Sequence, residues 1–268
     1  MPDAVKPRGV VVSGNNTLWR GNVLAEVVKA HIDNEFGRFH LFRAVRGMDV
    51  CKEVEFLERT KGGVTGQMEG QRLLYEFLIS KGLATKDTMF RHAKDYIERN
   101  MDRTVSDFVY KMLQMGVPVF FADEGGSTSA SYAIKRLALM EIEKLGKVVA
   151  MSDRIMSSDS MAFFMEGHGE MLHLGKLVLT DGVFNKEVFD DRNVLVRVKR
   201  TISSAEEKLA RVKEMLEAHN LALGDVVAIC GNPSDGLVLR EAGTALIPPS
   251  ATWEIKDKDI KGAKRMAA

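Results

Sequence analysis

A chain of 268 residues, 45% hydrophobic and 28% charged, has the composition of a soluble globular protein that buries a real core, which excludes a disordered or fibrous chain. Lysine and arginine number 38 against 37 aspartate and glutamate, so a net charge of +1 supplies no long-range field toward nucleic acid or an acidic membrane. Cys51 and Cys230, the only cysteines, are far apart in the chain, which argues against a disulfide framework or thiolate metal site and fits a reducing, cytoplasmic setting.

Met1 to Gly9 lacks the basic start and long apolar stretch of a signal peptide, and no later stretch is long and apolar enough to suggest a membrane span. Gly9-Val10-Val11-Val12 is a β-branched run that stops at the turn formers Ser13-Gly14-Asn15-Asn16-Thr17, which predicts a buried parallel strand with a loop at its carboxyl end. From about Leu24 to Leu113 the apolar spacing is helical, broken at Lys61-Gly62-Gly63 and Ser80-Lys81-Gly82. Residues 23–113 therefore read as a helical insert, a cap, within a core formed by 1–22 and 114–268.

Gly116 to Ala122 repeats the first pattern, an apolar strand running into the polar loop Asp123-Glu124-Gly125-Gly126-Ser127-Thr128-Ser129. A helix over Ala130 to Leu145 and a strand over Lys147 to Met151 would complete a βα unit of a parallel sheet. Lys176 to Phe184 alternates around Asp181-Gly182, and Val194 to Val198 continues strand-like, which predicts a hairpin or flap turning at the Asp-Gly pair. A serine at 203 or 204 followed by Glu206-Glu207 has the cap and first-turn acids of a helix that runs through Leu216. Val226 to Cys230 is a third apolar strand, ending in Gly231-Asn232-Pro233-Ser234-Asp235, and the charged stretch from Trp253 onward reads as a peripheral strand or tail.

Ligands of open parallel sheets bind beyond the carboxyl ends of the strands, so the loops beginning at Ser13, Asp123 and Gly231 should converge on one crevice. In order and spacing, these segments resemble the haloacid dehalogenase superfamily, and in particular its phosphoserine-phosphatase-like branch. That branch opens with an apolar strand and Asp-x-Asp-x-Thr-Leu, where this chain has Ser13-Gly14-Asn15-Asn16-Thr17-Leu18. The resemblance puts the nucleophilic acid on Ser13 and the second acid, a general acid/base, on Asn15. Its second motif, a strand ending in a hydroxyl, falls on Ala122 or Asp123, and its lysine on Lys208. Its fourth motif, Gly-Asp-x-x-Asn-Asp, aligns with Cys230-Gly231-Asn232-Pro233-Ser234-Asp235, so a metal-binding acid becomes Gly231 while Asp235 persists. The fold implied is an α/β Rossmannoid parallel sheet with helices on both faces and an inserted helical cap.

Aspartyl-phosphate chemistry needs a carboxylate nucleophile, a second acid and Mg²⁺ bound by hard oxygen ligands, and three matched carboxylates are absent at Ser13, Asn15 and Gly231. Asp235 is a candidate metal ligand, and Asp123 and Asp235 are the remaining candidate catalytic acids. A serine nucleophile at Ser13 would need a base that Asn15 is not. A phosphate can still be held by loop N–H groups and helix N-termini, so Thr17, Ser127, Thr128, Lys208 and Asn232 are candidate ligand-binding residues in a crevice poor in carboxylates. Judged without the resemblance, Lys208 would be a solvated helix residue. The acid that phosphoserine phosphatases carry shortly after the first motif falls on Asn22, which argues against phosphoserine as substrate. His168 to His173 lacks the spacing of a helical zinc motif.

The leading expectation is a catalytically degenerate homologue that binds a phosphate-bearing ligand or a protein partner and requires no cofactor. The rivals are a Mg²⁺-dependent phosphomonoester hydrolase built on Asp123 or Asp235, and a subunit of a larger assembly. Neither nucleic acid nor membrane is expected as a partner.

Overall fold

The computed structural model describes residues 7–37, 41–60, 63–82, 84–128, 172–174, 177–200, 202–252, 255, 260 and 262–267. The expected helix over 130–145, the strand over 147–151 and residues 168–171 of the two-histidine stretch lie outside them. Strand β1 (Gly9–Val12) is followed by five helices, α1 (Val23–Gly37), α2 (Leu41–Thr60), α3 (Gly63–Lys81), α4 (Lys86–Asn100) and α5 (Arg103–Gln114). Strands β2 (Val119–Gly126), β3 (Leu172–Leu174), β4 (Leu177–Phe189) and β5 (Leu195–Lys199) come next. Helix α6 (Ala205–Ala218), β6 (Val226–Ile229), helix α7 (Gly236–Glu241), β7 (Thr244–Ile247) and β8 (Lys264–Arg265) complete the order.

Among the described residues the strands form one sheet in the order β3-β4-β2-β1-β6-β7-β8, with β5 paired to β4. β1 is parallel to both neighbours, Val10 lying opposite Val119 on one side and Val227 on the other. The chain leaves β1 toward β2 and later returns on its other side as β6, which makes the carboxyl end of β1 the switch point where a crevice opens. The charged C-terminal stretch does supply an edge strand, β8, parallel to β7.

Alternation sorts the central strands into two cores. Val10, Val12, Val119, Phe121, Val227 and Ile229 face one side and join a single apolar cluster with residues of α1, α3, α4 and α5. Val11, Phe120, Ala122, Val226, Ala228 and Cys230 face the other and pack with Val212, Met215 and Leu216 of α6 and Val238 and Leu239 of α7. A β-branched run buried on both faces is what helices above and below a parallel sheet require. The apolar spacing that predicted the helices is therefore satisfied by burial on the same core as the sheet.

One expectation needs correction. Asp181 and Gly182 are not a hairpin turn: β4 runs straight through them, and both pair in parallel register with Phe120 and Phe121 of β2. The reversal into β5 comes later, where Asp190 Oδ1 accepts hydrogen bonds from Arg192 N (2.9 Å) and Val194 N (2.8 Å) and Asn193 adopts a left-handed φ of 59°. An Asp-Gly pair marks a turn only where the chain has no neighbouring strand to satisfy its backbone, and β2 supplies that strand here.

Candidate functional site

The carboxyl ends of β1, β2 and β6 meet as expected, and every candidate residue lies buried in or beside their junction, but Asp123 to Gly126, expected to open a loop, continue strand β2. Asn16 takes a left-handed φ of 53°, which turns the first loop back on itself. That turn points Ser13 Oγ at Thr17 Oγ1 (2.6 Å) and lets it donate to Asp235 Oδ2 (3.1 Å). Ser13 therefore has a carboxylate neighbour after all, supplied by the fourth-motif loop rather than by Asn15. Asn15 faces away from the crevice: its Oδ1 accepts from Trp19 Nε1 (2.8 Å) and Val23 N (3.2 Å), tying the loop to the start of α1.

Lys208 is 0% exposed, which overturns the solvated reading. Its helix opens with Ser204 Oγ accepting from Glu207 N, a cap that sets the first turn so that Lys208 points inward. Lys208 Nζ donates to Glu124 Oε2 (2.7 Å) and to Asp235 Oδ1, and so bridges two buried acids. Glu124, which the sequence did not single out, is the centre of the site. Its carboxylate also accepts from Asn232 Nδ2 (2.9 Å), Ser234 Oγ (3.1 Å) and Gln67 Nε2 of α3.

Asp123 serves the first loop. Its Oδ1 accepts from Gly14 N (3.2 Å) and Asn15 N (3.4 Å), and its Oδ2 from Gly125 N (3.2 Å). Consecutive side chains on a regular strand point to opposite faces, yet Asp123 and Glu124 both reach the crevice. The register of β2 against β4 shifts between Ala122 and Gly126, and that irregularity redirects one of them. Asn232 ties the loops together, donating to Asn15 O (2.8 Å) and accepting from Asn16 Nδ2 (2.9 Å).

Ser127 and Thr128 are engaged by another acid. Glu187 of β4 accepts from Ser127 Oγ (3.3 Å), Thr128 N (2.9 Å), Thr128 Oγ1 and Tyr75 OH of α3 (2.9 Å). The expected poverty of carboxylates is thus corrected: Asp123, Glu124 and Asp235 converge, with Glu187 close by. Burial pushes the Asp123 carboxyl up to about 7, with neighbouring Glu124 adding to the shift and Lys208 opposing it. Burial also raises Asp235, again against the pull of Lys208. For Lys208 itself burial works to lower the pKa, but Asp235, Glu124 and Asp123 together hold it well above the ordinary lysine value.

These residues do not fit a magnesium ion. Mg²⁺ takes carboxylate oxygens in octahedral geometry, but the oxygens of Asp123, Glu124 and Asp235 are committed to the lysine, amide, hydroxyl and backbone donors already named. A Cβ at Gly231, the position matched to a metal-binding acid, would run into the backbone carbonyl of Asn16. No group of three or more acidic, histidine or cysteine side chains disposed to hold a metal occurs among the described residues. Between Asn15, Tyr75, Thr128, Glu187 and the apolar residues Val23, Leu24, Val27 and Met89 there remains a cavity of about 10 Å³, room for a single water.

Of the missed residues, Glu124 alone carried a signal, an acid at the carboxyl end of an apolar strand. Gln67 and Tyr75 fall in the helical insert without a target, and Glu187 lies between the two strand-like runs of the sequence, on the part of β4 that extends to Phe189.

No family model and no curated protein matches the sequence. Solved structures do match the fold. A phosphoserine phosphatase captured as a phospho-aspartyl intermediate analogue superposes with a TM-score of 0.55 at 14% identity, over 97% of this chain and 92% of that one. A phosphoserine phosphohydrolase-like protein from Francisella tularensis gives 0.57 at 12% identity over 96% and 95%, and a protein of unknown function from Bordetella pertussis Tohama I gives 0.61 at 11% over 98% and 99%. The chain has the fold of the phosphoserine-phosphatase-like haloacid dehalogenases.

Proposed function

We propose that this chain, built on the phosphoserine phosphatase fold, hydrolyses no phosphate monoester and acts as a binding protein whose former catalytic crevice is filled by its own acids. The observation that carries this reading is Glu124. Its carboxylate takes up Lys208, Asn232, Ser234 and Gln67, a set of donors suited to an oxyanion, inside a fully buried pocket. Asp123 does the same for the Gly14 and Asn15 N–H groups. An incoming phosphate would find these donors taken and three carboxylates nearby, so like-charge repulsion opposes the phosphate-bearing ligand considered from sequence and favours a protein partner.

Ser13 donates to Asp235, a partial nucleophile–base arrangement, but Lys208 already holds that carboxylate and Ser13 is sealed from solvent. The test is a phosphatase assay over a broad panel of phosphate esters with and without Mg²⁺. The expected result is no turnover above buffer and no shift of the thermal midpoint with the metal. Turnover that rises with Mg²⁺ and is abolished by Asp235→Ala would overturn the proposal.

A further inference from the structure

Helix α2 carries apolar side chains on two opposite sides. Its inner side packs on its neighbours through Val54 and Leu57, with half-buried Val50 and Cys51 beside them. Gly47 lets α2 approach Ile32 of α1 closely, and Gly70 of α3 fits against Val54. At about 100° per residue the outer side, centred on Val45, Asp49, Lys52 and Phe56 with Met48 beside them, lies roughly 180° from this buried face. There Phe56 is 63%, Val45 51% and Met48 42% exposed, three of the five large hydrophobic side chains so exposed among the described residues. Apolar residues directed away from the core on one stripe of one helix mark a contact surface.

The charges on the stripe say what fits it. Asp49 and Lys52, both exposed, sit at its centre, and the apolar residues Val45 and Phe56 sit at its two ends. A two-fold axis passing between residues 50 and 51 lays a second α2 antiparallel on the first. It sets Val45 against Phe56 of the second copy and Asp49 against Lys52 of the second copy, and symmetry repeats each pair. The line Val45, Asp49, Lys52 and Phe56, whose ends match apolar to apolar and whose centre matches acid to base under one two-fold operation, is self-complementary, as an isologous interface must be, while Met48 on its flank meets Glu53 of the second copy. We infer that the outer face of α2 is a homodimer interface, formed by antiparallel pairing of α2 with its copy.

The experiment is sedimentation velocity on the full chain from micromolar to hundreds of micromolar. The wild type is expected to populate a dimer. Phe56→Asp is expected to be monomeric throughout that range with an unchanged circular dichroism spectrum, since Phe56 is exposed. Asp49→Lys is expected to weaken the dimer on the order of tenfold, because the two-fold puts lysine against lysine twice. The double variant Asp49→Lys/Lys52→Asp is expected to restore it. A wild type that stays monomeric overturns the inference, as does a dimer indifferent to Phe56→Asp. Failure of the double charge exchange to recover what the single variant lost rejects the antiparallel pairing.

Discussion

At the scale of one residue, Asp123 ties the crevice to the stability of the fold. Its carboxyl is held near 7 by burial, whereas an aspartate in an unfolded chain titrates near about 3.9. Between those two values the folded chain keeps a proton that the unfolded chain has released. Stability therefore falls as pH rises through that window, by up to about 1.4 kcal/mol per pH unit, and levels off above about 7. Glu187 and Asp235 are raised by burial as well, so the wild-type slope is not owed to Asp123 alone. The measurement is the difference in urea unfolding free energy between wild type and Asp123→Asn. It is expected to move in the variant's favour from about pH 4 to about pH 7 and to stay flat above; a difference independent of pH contradicts the assignment.

Helix α3 shows what an element adds. Gln67, Gln71 and Tyr75 recur every fourth residue, which puts them on one face, and each donates to a different partner along the sheet and its loops: Glu124, Asn22 and Glu187. Leu74 and Leu78 bury the apolar part of the same helix. The seam with the crevice is thus a row of hydrogen bonds flanked by apolar packing. Tyr75→Phe keeps the ring and removes the donor to a buried carboxylate, so a loss of about 1–3 kcal/mol in urea unfolding free energy is expected. Several elements were legible in the sequence because period and punctuation are local: β1, β6 and the opening of α6 fall where apolar runs and caps put them, while β2 runs on past its apolar run to Gly126. Asp181-Gly182 misled because a turn signal competes with a strand neighbour that sequence does not display. Glu124 was passed over for a related reason, since its partners Gln67, Lys208, Asn232 and Ser234 come from three distant segments and from a register shift in β2.

For the whole molecule the decisive fact is that one apolar cluster runs from the sheet into α1, α3, α4 and α5. Helices that share a core with the sheet, and share buried acids with its loops, should not melt before it. Scanning calorimetry is expected to show one transition whose calorimetric and van't Hoff enthalpies agree, and a separate early transition would show the helices to be an independent unit. Gly231 also couples two of the loops. Its missing side chain is the space in which the Asn16 carbonyl rests, so an aspartate does not fit there unless the first loop changes its path. The first loop, in turn, is held by Asp123 and Asn232. A carboxylate at this position would thus demand coordinated changes in the first loop, so the effect of any single substitution at Gly231 depends on what stands at Asp123 and Asn232.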